Sequence, residues 1–341
     1  MTDVFEFRDA IRDALDEELG RDERVVFFGE DVAEAGGVFA VTGGLRAKHP
    51  ERVFDTPISE LAITAAAFGA AVCGLRPVIE IMFGDFLGLS MDSIVNQAAK
   101  FFFISAEQAS VPLVVRSAVG AGGRFGAIHS QLPANWFINV PGLKIVAPSF
   151  PGDAKALLKA SIRDENPVLF LEHKRLYGIK SPPTPGRGDD EVADLGRARV
   201  VRDGADVTLV SAMKGTHDCL AAAERLAGEG IDAEVLDLRT LRPLDTETLL
   251  ASLARTHRLA VIEEGPLTGG WAGEVIALLA EHGLHEIDDI WRLATPDHPI
   301  PYSPPLEDAF LPGPDAIAAS VAQRLGSGGG AVGAAMYSPA S

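Results

Sequence analysis

The sequence predicts an α/β protein of two domains, each built on a mostly parallel sheet with helices on both faces. Three observations carry that expectation. Short apolar runs alternate with helical patterns over almost all of the 341 residues, as buried parallel strands and their crossover helices require. The length matches two domains on the prior of roughly 150 residues each. The pattern is interrupted once, at "GIKSPPTPGRGDDEVADLG" (178–196), where prolines, glycines and a run of acids make a linker. The expected division is therefore 1–185, 186–325 and a glycine-rich tail at 326–341, which is too poor in apolar surface to order itself.

The elements follow in order. "MTDVFEFRDAIRDALDEELGRDER" is an amphipathic, acid-rich helix with no basic region before an apolar stretch, so it does not read as a secretion signal. Strand candidates come next at 24–29, 52–56, 76–83, 111–118, 143–149 and 167–173, with helices at 59–74, 87–106 and 152–163. After the linker the alternation restarts with strands at 206–212, 232–240, 258–265 and 289–295 and helices at 215–229, 245–255 and 270–283. "PDHPIPYSPPLED" reads as an extended, proline-rich connection before a last helix that ends near Leu325.

Composition narrows the function. Acidic residues outnumber basic ones by 48 to 30, a formal charge of −18, which disfavours a phosphate backbone and favours basic partners. The two cysteines, Cys73 and Cys219, support neither a disulfide framework nor a zinc cluster and fit a reducing cytoplasm. No uninterrupted apolar run reaches the roughly 18 residues of a membrane span.

Candidate chemistry begins at "DTPISE", Asp55 to Glu60, where a carboxylate stands at the mouth of an almost wholly apolar helix. An acid in the first turn behind a Ser59 cap would stabilise the helix by about 0.3–1 kcal/mol. The helix has no polar face, however, so it is expected to be buried all round, and a buried acid needs a partner. "VGAGGRFGA" (119–127) fits neither the dinucleotide nor the P-loop spacing; it is a loop whose backbone must approach something closely. His129, just beyond it in "AIHSQ", follows a strand end, where ligands gather in parallel sheets, although a lone histidine is more often structural. Motifs of zinc proteases, thioredoxin-like proteins and serine hydrolases are absent.

The ordered set "GEDVAEAGGVF", "RVFDTPISE", "GLRPVIEIMFGDF", "NQAAK", "GRFGAIHSQ", "VPGLKIVAPS", "IRDENPVLFLEHKRLYG" and "TPDHPIPYSPPLED" resembles the beta subunit of the thiamine-diphosphate-dependent first component of 2-oxo acid dehydrogenase complexes. The similarity spans about residues 4–325 and is equally close to the pyruvate, branched-chain and acetoin types. It implies a pyrimidine-binding thiamine-diphosphate domain followed by a transketolase-type C-terminal domain. Glu60 would hydrogen-bond a ring nitrogen of the cofactor's aminopyrimidine, Phe86 would stack on that ring with Met82 and Ile58 beside it, and His129 would handle protons on the substrate side. Glu30 would join a chain of carboxylates between two active sites. Backbone oxygens of Leu113, Ser161, Asp164 and Asn166 would hold a potassium ion.

Members of this family bind the diphosphate through Mg²⁺ held by a "GDG" motif, and no "GDG" occurs in this chain. The resemblance therefore implies half a site, completed by an alpha subunit in an α2β2 heterotetramer, with a lipoyl-bearing acyltransferase as the next partner and a small 2-oxo acid as substrate. Acetoin cleavage and a mainly scaffolding or docking role are the alternatives.

Overall fold

The computed structural model describes residues 5–181 and 192–326. The middle of the expected linker and the glycine-rich tail from residue 327 lie outside them. The first half is built on a seven-stranded sheet in the order Thr240–Arg242, Lys144–Val146, Val168–His173, Val114–Val119, Arg76–Ile81, Val25–Gly29, Val53–Asp55. All run parallel except the first, an edge strand lent by the second half. The second sheet has the order Asp289–Thr295, Arg258–Pro266, Val207–Ser211, Ala233–Asp237, Arg199–Arg202, with only the last antiparallel. Among the described residues no helix is long and apolar enough to cross a membrane.

Four expectations need correction. The predicted strand 232–240 is two strands, because the chain turns at Arg239 (φ 54°) and carries Thr240–Arg242 across to the first sheet. The predicted helix 87–106 is a 3₁₀ segment Gly84–Ser90, a π-helical turn Asp92–Ala98 and a short α-helix Ala99–Ile104. Gly84 allows the first of these to press on the sheet: a Cβ there would lie 2.6 Å from Val119. "PPLED" forms a helix, Pro304–Phe310, in place of extended chain, since proline's fixed φ suits the first helical turn.

The fourth correction bears on the site. Helix Glu60–Val72 buries Ile63, Thr64, Ala67 and Ala71 against the sheet, but Leu61 and Val72 are exposed on its far side. It lacks a polar face and yet is covered on one side only within this chain. Leu89, Phe102, Phe103 and Ile104 are exposed as well.

Charge is buried at the centre of the first sheet. Arg116 faces Glu80 on the neighbouring strand, donating to it at 2.9 Å and to both Glu172 oxygens at 2.7 and 2.9 Å, while the Tyr177 hydroxyl donates to Glu172 at 3.0 Å. Burial opposes the guanidinium charge, but the two carboxylates outweigh it and hold Arg116 above its ordinary range. Glu80 is pushed up by burial, which the Arg116 charge only partly offsets.

A second buried network joins the halves. Asp153, on helix Pro151–Arg163 of the first half, meets Arg239 at 3.0 Å and Arg199 at 2.6 Å. Asp237, fully buried, accepts from Ser149 at 2.8 Å and Thr216 at 3.3 Å. Burial, and then the charge of Asp153, push the Asp237 carboxyl up to about 7. In the unfolded chain it titrates near 4, so between about pH 4 and 7 the folded state keeps a proton that the unfolded state has lost. This group therefore makes stability fall as pH rises through that window. Asp237→Asn keeps the acceptor for Ser149 and abolishes the charge. Urea midpoints at about pH 5.5 and 7.5 should show the variant gaining on the parent at the higher pH; parallel curves would refute the assignment.

Candidate active site

Five neighbouring parallel strands end on one edge of the first sheet, and each delivers a candidate group there. Glu30 follows Val25–Gly29, Glu60 follows Val53–Asp55, and Met82, Phe83 and Phe86 follow Arg76–Ile81. The glycine loop with His129 follows Val114–Val119, and Lys174 follows Val168–His173. The carboxyl edge of an open parallel sheet is where such folds place their ligands.

Glu60 is the first residue of its helix and is only 8% exposed. Ser59 occupies the cap position, but its side chain makes no capping bond. The helix mouth is fastened instead through the Glu60 carbonyl, which accepts from Thr64 at 2.6 Å and from the Ser90 hydroxyl at 3.1 Å. That leaves the carboxylate unattached, and among the described residues it meets no hydrogen-bond donor. Glu30, also 8% exposed, has its Oε1 buried without a partner. Burial and then the neighbouring Glu60 charge raise the Glu30 carboxyl, against a lowering bond from the Ser59 N–H. Two neighbouring acids, each 8% exposed, with the Glu30 Oε1 buried and unpartnered, leave acceptor positions suited to a proton-bearing ring.

Aromatic rings form the adjoining wall. Phe83 is buried and meets the His129 ring edge-on at 4.8 Å and Phe86 at 6.0 Å, and Phe86 meets His129 at 5.3 Å. His129 is thereby aimed by two rings, and Phe86 stays partly open for stacking. Met82 is half-buried on the same segment. Ile58 lies 84% exposed.

The candidate cation ligands sit near the other end of the strands. The Leu113 carbonyl accepts from Val168 N–H at 2.8 Å, and the Ser161 carbonyl from Asp164 N–H at 3.3 Å. The Asp164 carboxylate is taken by Lys144 and by Asn166, whose backbone and side-chain N–H bonds run 2.8 and 2.9 Å. Burial raises that carboxyl, but these donors pull it below its ordinary value. Among the described residues no cluster of three or more His, Cys, Asp or Glu side chains is placed to hold a metal. A cleft of about 590 Å³ between the halves, reaching Ile138, Arg242 and Glu274, contains none of Glu30, Glu60, Phe86 or His129. The donor chemistry, not this cleft, marks the site.

Comparison with known proteins gives this geometry a family. Residues 3–180 match the model of the transketolase pyrimidine-binding domain, and residues 196–317 that of the transketolase C-terminal domain. The chain is 44% identical to the beta subunit of 2-oxoisovalerate dehydrogenase of Bacillus subtilis, over 93% of this chain and 98% of that one. It is 43% identical to the beta subunit of acetoin:2,6-dichlorophenolindophenol oxidoreductase of Cupriavidus necator, over 94% and 97%. It is 44% identical to the mitochondrial pyruvate dehydrogenase beta subunit of Drosophila melanogaster, over 89% and 85%. The chain belongs to the family of beta subunits of 2-oxo acid dehydrogenase first components.

The fold agrees with solved relatives. A split-gene transketolase, solved as an inactive beta4 tetramer, superposes with a TM-score of 0.76 at 24% identity, covering 94% of this chain and 98% of that one. A Pichia stipitis transketolase superposes with a TM-score of 0.71 at 14% identity, over 95% of this chain and 46% of that one.

Three groups of this beta subunit escape sequence reasoning. Glu264 and Glu307, from the second half, accept backbone N–H bonds from the glycine loop, and Lys174 binds the His129 carbonyl. The Ala121, Gly122 and Arg124 N–H groups of the loop thus meet the chain's own carboxylates. Gly120 (φ 90°) shows the close approach expected of this loop: a Cβ would lie 2.1 Å from the His173 ring. Nothing local sets Glu307 apart in "PPLED" or Glu264 in "VIEEG", because the loop N–H groups they accept from lie more than a hundred positions away.

Proposed function

We propose that this beta subunit, with an alpha partner, carries out thiamine-dependent oxidative decarboxylation of a 2-oxo acid, pyruvate or a branched-chain one, and passes the acyl unit to a lipoyl group of an acyltransferase. The observation that carries the reading is Glu60: a residue 8% exposed whose carboxylate meets no donor among the described residues, beside Glu30, whose Oε1 is buried and unpartnered and whose carboxyl is raised, on the ligand edge of a pyrimidine-binding domain. Thiamine diphosphate, when bound, supplies the electron sink for loss of the carboxylate. With the cofactor bound, Glu60 would hydrogen-bond an aminopyrimidine ring nitrogen and so favour one tautomer, a task that shielding from water assists. Phe86 offers its open face to the ring. His129, fixed between Phe83 and Phe86, orients and protonates on the substrate side. Glu30 extends the carboxylate chain away from Glu60 towards a second site.

The partner assignments follow from what this chain supplies. With no "GDG" in the sequence, Mg²⁺ and the diphosphate fall to the alpha subunit, and an α2β2 assembly covers the exposed face of helix Glu60–Val72. Lys144 already neutralises the Asp164 carboxylate, so potassium would use backbone oxygens of Leu113, Ser161, Asp164 and Asn166, whose carbonyls keep a second lone pair. Two free cysteines among the described residues support a cytoplasmic location. Acetoin cleavage is the second reading, favoured by the 43% identity to an acetoin-type beta subunit.

The test is co-purification with an alpha subunit, then assay of pyruvate, branched-chain 2-oxo acids and acetoin with thiamine diphosphate, Mg²⁺ and lipoyl acceptor. The expected outcome is lipoyl reduction by one class of 2-oxo acid, with the isolated beta chain inactive. Turnover by the isolated chain would contradict the half-site assignment, and cleavage of acetoin alone would favour the second reading.

A further inference from the structure

The loop that carries His129 is held at both ends by groups outside it. At its start, Ala121 N–H donates to Glu264 at 2.5 Å, and Gly122 and Arg124 N–H donate to the two oxygens of Glu307 at 2.9 and 3.2 Å. At its end, Gln131 donates to Asp85 through its side chain at 2.8 Å. Between these points, among the described residues, only one side chain grips the backbone at the histidine itself. The Lys174 amine donates to the His129 carbonyl and lies 5.3 Å above the Phe83 ring and 5.5 Å from that of Phe125.

This arrangement does not follow from stability alone. A buried ammonium is best offset by a carboxylate, and Asp85, Glu264 and Glu307 are all close enough to act on its charge. Among the described residues none of them forms an ion pair with it. Asp85 serves Gln131, Glu264 serves His173 and Ala121, and Glu307 serves Arg124 and Gly122. The cation is left to a carbonyl and two ring faces, and both rings also border the site, Phe83 in contact with His129 and Phe125 in contact with Phe83.

We propose that Lys174 is a positioning residue for His129: its ammonium, caged by Phe83 and Phe125, holds the His129 carbonyl and so fixes the imidazole against Phe83 and Phe86. The proposal rests on the reading of His129 as a group that meets substrate. It gives the second half a part in the site too, because Glu264 and Glu307 set the loop and the field in which the ammonium sits.

The hold is charge-dependent. Burial lowers the Lys174 amine to about 8, the carboxylates of Asp85, Glu264 and Glu307 offsetting only part of the effect. The other charged or titratable groups around it are His129 and Arg124 of the loop and His173 and Arg175 beside it in sequence. Carboxylates, imidazoles and guanidinium groups ordinarily titrate outside the interval between about pH 8 and 10. Raising the pH through that interval removes the cation–ring attraction and the charge assistance to the carbonyl bond.

Hydrogen exchange of the full chain, read as protection factors for peptides covering 119–131, tests this without reference to turnover. At neutral pH, Lys174→Met should lower protection there by roughly tenfold, the scale of one charge-assisted bond, and leave the sheet strands unchanged. The parent should lose the same protection as pH rises past about 8. Lys174→Arg, which stays charged, should keep most of it and show no alkaline fall. In the assembled enzyme, Lys174→Met should lower kcat while the KM for thiamine diphosphate stays put. Unchanged loop protection in Lys174→Met, a loss shared evenly by the whole chain, or a failure of Lys174→Arg to restore protection would each overturn the proposal. A His129 dispensable for lipoyl reduction would overturn the functional reading of the site instead, and the exchange result would still stand.

Discussion

Glu60→Gln should reduce turnover of the assembled enzyme by 10²–10³-fold or more, about 2.7–4 kcal/mol of transition-state stabilisation, the scale for losing one well-placed group in a shielded site. The substitution preserves size and shape, and the helix mouth is anchored through the Glu60 carbonyl to Thr64 and Ser90 and not through the carboxylate. The fold should therefore be untouched. An amide cannot share a proton with a ring nitrogen as a carboxylic acid does, so the loss should fall on kcat and spare cofactor affinity. Melting curves and assembly with the alpha subunit provide the control. Near-normal turnover would mean that the chain serves mainly as a scaffold.

Arg116→Met should destabilise the chain by about 3–5 kcal/mol, because it strands two carboxylates in the middle of the sheet. Among the described residues Glu172 would keep only the Tyr177 hydroxyl, and Glu80 would lose the cation that offsets its burial. Urea denaturation of the purified chain should show a much lower midpoint with little change in slope. Replacing all three groups together, Arg116→Met with Glu80→Leu and Glu172→Leu, should recover most of the loss, since apolar packing often replaces a buried ion triad at no net cost. A single variant as stable as the parent would show that the triad contributes nothing in place.

These two sites differ in how far the sequence revealed them. Glu60 was visible because an acid ahead of Leu61, Ala62 and Ile63 violates the local pattern, and the ordered motifs around it pointed to a ring-binding role. Arg116 was hidden: "VVRSAV" reads as an ordinary strand, and its partners Glu80 and Glu172 become neighbours only once three strands align. The same holds for Lys174 in "EHKRLYG", whose burial depends on rings from two other segments.

The succession of strands and helices along the chain, and its restart after the linker, followed from hydrophobic periodicity, whereas the order of strands within each sheet did not. The exceptions were local. Arg239 takes a left-handed backbone that no periodicity announces, and Gly84 breaks a helix by letting the chain press on Val119. The helix after Glu60 looked buried all round because periodicity registers what is apolar, not which chain covers it.

The most direct test of the account is the rate at which the thiazolium ring proton of thiamine diphosphate exchanges with solvent, measured in the alpha–beta complex before substrate is added. With the parent chain the exchange should be strongly accelerated over free cofactor. With Glu60→Gln it should be slower by about 10² or more, while calorimetry shows the cofactor bound as tightly as before. Equal exchange rates in the two complexes would contradict the claim that this buried acid controls the cofactor.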